Sequence, residues 1–250
     1  MNILVTAGNT LTLIDKVRCI TNIFTGRTGA GIALCAHDRG HRVSLVTSHP
    51  EAIADLREGK AGPGERWMLY RYRTFDDLQA RLVDLIPTGG FDAVVHCAAV
   101  SDYLSAGVYA PAEGTHFDAH TGHWASTTAG PALVDRLAKK LRSDERELWV
   151  RLVRAPKLVD LFRTDWGFTG LLVKFKLEVD LSDEQLLLVA ENSRAHSEAD
   201  LMVANTLEDA SHHAFLGPLE PGYERVPRAE LPARLLQTLE KMHHARPAGR

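Results

Sequence analysis

The residues able to do chemistry gather first between Gly8 and Gly31. An apolar run, Ile3-Leu4-Val5, reads as a buried strand closing on Ala7-Gly8, and Gly26-Arg27-Thr28-Gly29-Ala30-Gly31 leads into an Ile/Ala/Leu stretch that reads as a helix. Small residues at a helix start leave the first backbone N–H groups exposed, and those groups with the helix dipole attract phosphate. The same glycines also suit close packing of a helix on a sheet, so two readings stand at this point. Between strand and helix lies a polar loop holding Asp15, Arg18, Thr21 and Asn22, and connections of that length are often functional. A dinucleotide-binding fingerprint wants its glycines directly after the first strand, and here they come roughly twenty residues late. An ordinary NAD-dependent reductase is disfavoured on that spacing, and on the lack of a Tyr-x-x-x-Lys pair near a strand end.

The elements that must position these residues follow a regular rhythm. Further strands are expected over Arg42–Thr47, Arg66–Tyr72 and Phe91–Ala99, with helices over about Pro50–Glu58 and Asp76–Leu85. Strand and helix in alternation predict an α/β fold, Rossmann-like and doubly wound, with a mainly parallel sheet and helices on both faces. Ligands of such sheets bind beyond the carboxyl ends of the strands where strand order reverses. The loops after Ala7 and after His96 should meet there, the second reading Ala98-Ala99-Val100-Ser101-Asp102-Tyr103. Near the end, Ala214–Leu216 and Tyr223–Val226 suggest a hairpin around Pro221-Gly222, and Leu231–Met242 an amphipathic helix. One domain over residues 1–242 is expected, with 104–139 as an insertion and flap region, loop-like until a helix at Pro131, and 243–250 as a disordered tail.

Composition excludes several partners. With 250 residues, a net charge of −3 and a pI near 6.5, the chain has no electrostatic footprint for nucleic acid or an anionic membrane. No apolar run approaches a membrane span and no signal peptide is read, so a cytoplasmic location is expected. Of three cysteines, Cys35 and Cys97 fall in apolar runs and read as buried thiols, with no metal-type spacing. His116, His120 and His123 cluster, but in a Gly/Thr-rich segment without a Cys partner or an H-E-x-x-H helix. A solvated loop rather than a metal site is expected.

Read in order, TAGNT-x-x-x-ID-x-VR-x-x-TN, then TGR-x-G, then HCAAVSDY, then KLRSDERELWVRLVRAPKLVD, then FKLEVD and DLMVANTLED, the chain resembles phosphopantothenoylcysteine synthetase, the ligase of coenzyme A biosynthesis. The resemblance implies that the carboxylate of phosphopantothenate attacks the α-phosphate of a nucleoside triphosphate and releases pyrophosphate. The amine of cysteine then displaces the nucleotide monophosphate. It further implies catalytic roles for Arg18, Asn22 and the flap lysine Lys140. Phosphopantothenate contacts fall to Asn22, Ala98, Ala99 and Asp102, and nucleotide contacts to Gly8, Gly26, Arg27, Gly29, Phe175 and Asn205. ATP or CTP as co-substrate, Mg²⁺, no flavin and a homodimer are implied too. The strand Lys174-Phe175-Lys176-Leu177-Glu178 leans towards the ATP users.

Bland readings stand beside these. Arg18 could pair with Asp15, Asn22 could cap a turn, Lys140 could end a solvated helix, and Phe175 could be core. The chain also departs from the family pattern. Gly8-Asn9 replaces a glycine pair, Thr12 an acidic residue, Lys174 a glycine, and Ser197 a lysine. These changes keep open an alternative, a non-catalytic nucleotide-binding relative.

Overall fold

The computed structural model describes residues 1–57, 64–128, 130–136 and 144–246. The chain folds as two compact units, where a single domain was expected. The first comprises Met1–Thr10, Ile23–Val100 and Lys157–Arg250, and the second Leu11–Asn22 and Ser101–Pro156.

In chain order the elements are β1 (Asn2–Ala7), β2 (Leu11–Leu13), β3 (Cys19–Thr21), α1 (Arg27–Asp38), β4 (Arg42–Thr47), α2 (Glu51–Arg57), β5 (Trp67–Arg71) and α3 (Phe75–Thr88). Then come β6 (Ala93–His96), β7 (Tyr103–Pro111), β8 (Thr115–Asp118), β9 (His123–Ser126), β10 (Leu133–Asp135), β11 (Trp149–Arg154) and α4 (Leu158–Thr164). The chain closes with β12 (Leu171–Glu178), α5 (Asp183–His196), β13 (Leu201–Thr206), β14 (His213–Leu219), β15 (Gly222–Pro227) and α6 (Leu231–Ala245).

The first unit holds an eight-stranded sheet in the order β15-β14-β13-β12-β6-β1-β4-β5. The strands from β5 to β13 run parallel, while β14 and β15 add an antiparallel hairpin at one edge. The Rossmann-like α/β expectation holds. Parallel strands covered on both faces need continuous apolar runs, and Ile3, Leu4, Val5, Val43, Leu45, Val94 and Val95 are fully buried. On one face Ile32 of α1 packs into the same core as Leu231, Leu235 and Leu239 of α6. Among the described residues no helix is long and apolar enough to cross a membrane.

Several boundaries differ from expectation for local reasons. Helix α1 begins at Arg27, so Gly29 and Gly31 lie inside it and not in a preceding loop. Pro87 sits within the last turn of α3, where the one lost N–H bond falls on a turn that already frays. The connection from residue 9 to 25 is not wholly loop, because β2 and β3 pair as an antiparallel hairpin. Helix α6 passes the expected end at Met242 and runs to Ala245. Arg246 follows with bonds to Thr169 O and Asp200 Oδ1, both at 3.0 Å, so the tail is ordered at least that far.

In the second unit the described residues of the insertion form strands β7 to β10, where loop and then helix were expected. Strand β7 is central in the antiparallel sheet β10-β7-β11, and β8 and β9 form a hairpin. Val108 and Ala110 on β7 are buried at alternate positions, and Phe117, Trp124 and Trp149 meet edge-on or tilted with ring centroids 4.8–5.3 Å apart. Residues 131–135, expected to start a helix, carry β10, whose Leu133 and Val134 pair with Pro111 and Ala110. His116, His120 and His123 belong to the β8–β9 hairpin and its turn, which Asp118 caps through the His120 N–H at 2.9 Å. Among the described residues no group of three or more His, Cys, Asp or Glu is placed to hold a metal ion.

Helix α6 is fastened to α1 by charge. Glu240 accepts from Arg39 Nη2 at 2.5 Å and Nε at 2.9 Å, and lies 2.8 Å from His41 Nε2. The Arg39 bonds, with help from His41, hold the Glu240 carboxyl at about 2. A carboxylate depressed in the folded state stabilises fully above its ordinary value near 4.5 and loses that contribution as pH falls towards 2. Glu240→Gln should therefore cost about 2 kcal/mol at pH 7, typical of hydrogen bonds to a charge. Urea melts should show the gap to wild type narrowing steadily below about pH 4.5. A gap independent of pH would refute this assignment.

Candidate functional site

Strand order reverses between β1 and β6, because β1, β4 and β5 run one way and the chain then crosses back to β6. At that point two loops are zipped together. The Ala98 N–H donates to Thr6 Oγ1 at 3.2 Å, the Ala99 N–H to Gly8 O at 2.8 Å, and the Thr10 N–H to Ala99 O at 3.3 Å. Ala98 and Ala99 thus line the carboxyl end of β1 with nothing larger than a methyl group.

The start of α1 closes on the same place. Gly26 has φ +75° and Gly8 φ +87°, and a β-carbon on Gly26 would lie 2.4 Å from Gly8 N. One on Gly29 would lie 2.6 Å from Ala7 Cβ. The first helical bond is from the Ala30 N–H to Gly26 O, so the N–H groups of Arg27, Thr28 and Gly29 lack helical acceptors. No side chain caps this end and no acid sits in its first turn. Both readings of the glycines hold at once: they allow close packing, and that packing presents a bare helix start at the switch point. The structure brings Gly8, Gly26, Gly29, Ala98 and Ala99 together. Arg27 points its guanidinium at Asp55, 3.7 Å away, and both are exposed.

Asn9 needs no glycine. Its φ is not positive, and its buried side-chain oxygen meets Ser48 Oγ at 3.3 Å and His49 Nε2 at 3.1 Å. Ser48 Oγ also accepts the Asn9 N–H at 2.9 Å. Sequence reasoning passed over Ser48 and His49, although they directly follow a strand of the parallel sheet.

Phe175 and Asn205 lie on neighbouring strands, since Phe175 pairs with Val203 and Leu177 with Asn205. Phe175 is half-buried against the main core, so part of the core-packing reading is realised. Asn205 is buried and donates to Thr206 O at 2.9 Å. Lys174 turns to the opposite face. Its ammonium donates to Ser197 Oγ at 2.6 Å and Ser193 O at 2.9 Å, and Ser197 donates to Asp160 Oδ1 at 2.6 Å. Burial brings the ammonium down to about 8 against the pull of Asp160. Beside it, His96 is buried against Thr6 Oγ1 at 3.1 Å and held down to about 4 by burial and by Lys174, so its ring is neutral at pH 7. Another residue sequence reasoning missed, Arg228, donates from Nη2 to Thr28 Oγ1 at 2.5 Å.

The other residues expected from the sequence to act at the site belong to the second unit or lie outside the described residues. Buried Asp15 accepts the Val17 and Arg18 N–H groups at 2.7 and 2.6 Å, and Arg18 Nε and Nη2 at 3.1 and 2.9 Å. The bland reading of Arg18 is therefore met, in a geometry that also fixes where the guanidinium lies. Asn22 follows β3 and is half-buried, while Asp102 precedes β7 and is exposed. Buried Thr12 donates to Tyr103 O at 3.1 Å, which ties the β2–β3 hairpin to the segment carrying Asp102. Lys140 lies outside the described residues.

Residues 1–111 match the family model of the DNA/pantothenate metabolism flavoprotein C-terminal domain. The comparisons bear out the family resemblance. The coenzyme A biosynthesis bifunctional protein CoaBC of Thermococcus kodakarensis is 27% identical over 96% of this chain and 51% of its own length. That of Methanocaldococcus jannaschii is 23% identical over 85% of this chain and 41% of its own. The chain thus spans about half the length of the curated relatives it matches. Among solved structures, the DNA/pantothenate metabolism flavoprotein from Streptococcus pneumoniae superposes with a TM-score of 0.76 at 26% identity, covering 97% of this chain and all of that one. A Cab2 mutant in complex with phosphopantothenate-cysteine shares the fold, with a TM-score of 0.69 at 17% identity over 97% of this chain and 86% of that one.

Gly29 offers a direct check on the cradle. Alanine there would gain about 1 kcal/mol of helix propensity, yet it overpacks Ala7 at a cost of about 1–3 kcal/mol. Gly29→Ala should lower the urea midpoint with an unchanged m-value. A raised midpoint would mean that α1 is not pressed onto β1 as described.

Proposed function

We propose that this chain joins 4'-phosphopantothenate to cysteine through an acyl-nucleotide intermediate, as a nucleoside triphosphate-dependent acid–amino-acid ligase of coenzyme A biosynthesis. The observation that carries the reading is the cradle of Gly8 and Gly26, where α1 presents uncapped N–H groups beside the Ala98–Ala99 loop. Such a site suits phosphoryl oxygens, whose charge grows as pyrophosphate departs. The names of the CoaBC relatives, and the phosphopantothenate-cysteine with which the Cab2 mutant is complexed, support the choice of acid and amine.

In this reading Gly8, Gly26, Gly29 and the N–H of Arg27 receive the phosphates, and Phe175 and Asn205 face the nucleoside. Ala98, Ala99 and Asp102 receive phosphopantothenate, Arg18 and Asn22 hold the reacting carbonyl, and Lys140 neutralises the α-phosphate. Positioning of this kind lowers the barrier without covalent chemistry by the protein. The two bonds from Arg18 Nε and Nη2 to Asp15 Oδ2 pre-orient the guanidinium. Mg²⁺ would enter with the triphosphate and neutralise part of its charge. A homodimer in the cytoplasm, with ATP preferred over CTP, completes the proposal.

Mixing the chain with phosphopantothenate, cysteine and either nucleotide should release pyrophosphate, with kcat/KM higher for ATP. Asn22→Asp puts like charge beside a phosphate and should stop amide formation while acyl-nucleotide accumulates. No pyrophosphate from wild type with either nucleotide would instead favour a non-catalytic relative.

Lys140 should act in the transition state. Lys140→Gln should lower kcat by at least about a hundredfold while KM moves by less than about threefold. A change confined to KM would remove the lysine from the chemical step.

A further inference from the structure

Arg228 follows β15, at the edge of the sheet, where its N–H is fixed to His212 O at 2.8 Å. Its side chain nevertheless reaches the first turn of α1, with Nη2 on Thr28 Oγ1 at 2.5 Å. Thr28 is the second residue of that helix, so the guanidinium stands at the helix's positive end. The other terminal nitrogen, Nη1, is buried and has no hydrogen-bond partner among the described residues.

No carboxylate among the described residues forms an ion pair with Arg228. The group that bears on it electrically is the Cys97 thiol just beyond β6, and burial pushes that thiol up to about 12, which leaves it neutral. Burial works against the guanidinium's own charge as well. A half-buried cation thus faces a helix start whose first turn holds no acid and whose first N–H groups have no helical acceptor and no side-chain cap among the described residues. Two like-signed features, each short of an acceptor, are held together at the switch point. A buried donor without a partner is costly, and an uncompensated buried charge more so. An anion with several oxygens would satisfy Nη1 and the helix N–H groups together.

We propose that Arg228 is a phosphate-positioning residue, whose guanidinium and the first-turn N–H groups of α1 jointly grip the polyphosphate of the nucleotide. Naming a nucleotide rests on the ligase reading above, whereas the demand for an anion rests on the geometry alone.

Thermal melting of the full chain in anion-poor buffer, with and without inorganic tripolyphosphate, separates this role from a structural one. Wild type should be stabilised by tripolyphosphate, since a ligand that binds only the folded state raises the melting point. Arg228→Met removes an uncompensated charge, so without the anion it should melt at or above wild type, and the rise with tripolyphosphate should be lost. Arg228→Lys should recover part of the rise. An Arg228→Met protein that melts lower alone and keeps the full rise would overturn the proposal, as would a wild type indifferent to millimolar tripolyphosphate. In turnover, Arg228→Lys should raise KM for the nucleotide roughly tenfold, because a lysine cannot reproduce the fork. KM for phosphopantothenate should stay unchanged, and a rise confined to it would overturn the assignment to the polyphosphate. If wild type turns over nothing, the ligase reading fails and the melting comparison still decides the anion.

Discussion

Between Gly8 and Gly26 there is no room for a β-carbon, and both residues hold a backbone conformation that side chains resist. That contact seats the start of α1 on the end of β1. It fixes the direction of the helix, brings its first N–H groups, which have no helical acceptors, to the switch point, and sets the edge against which Ala98 and Ala99 are zipped. It also explains how residues 9 to 25 can make a long excursion. A connection that leaves and returns to nearly the same point is entropically cheap to lengthen, since closure cost grows only with the logarithm of loop length. The hairpin of β2 and β3 is the content of that excursion, and it carries Arg18 and Asn22.

Charge then follows packing. A helix end with no acid in its first turn is a fixed partial positive charge. Near it the first unit places groups that cannot cancel it: a neutral Cys97 thiol and the guanidinium of Arg228. Elsewhere cations are matched, as Arg39 is with Glu240 and Arg163 with Asp200 at 2.8 Å. The imbalance is local, and a net charge of −3 gives no hint of it.

What could be read from the chain divides along physical lines. The parallel strands were legible because burial on both faces demands continuous apolar runs, and β1, β4 and β6 supply them. The hairpin around Pro221-Gly222 was legible from its turn residues. The insertion was misread. Its strands are short and only half-covered, so no long period appears, although Tyr, Val, Phe and Trp at β7 and β8–β9 already favoured strands over loop. Helix α1 was placed late because glycine lowers helix propensity, and tertiary contact with Ala7 overrides that preference. Of the site, Gly8, Gly26, Gly29, Ala98 and Ala99 were identified through motif order, and their convergence follows from the sheet. Arg228 carried no such signal. It lies in a stretch without motif, and only the position of the edge hairpin brings it to Thr28 from 200 residues away.

Two departures from the family pattern turn out to be one. Lys174 stands where the family resemblance leads one to expect a glycine and Ser197 where it leads one to expect a lysine, and the ammonium of the first donates to the hydroxyl of the second. A lysine at both positions would force two ammonium groups together beside a single carboxylate, Asp160. A serine at 197 leaves space for the longer chain from β12 and relays its bond to that acid. Asn9 is a further case, since its backbone needs no glycine and its side chain is held by Ser48 and His49. Substitutions that satisfy one another in this way mark a site repacked around the same fold. They weigh less against retained activity than the same number of unrelated changes.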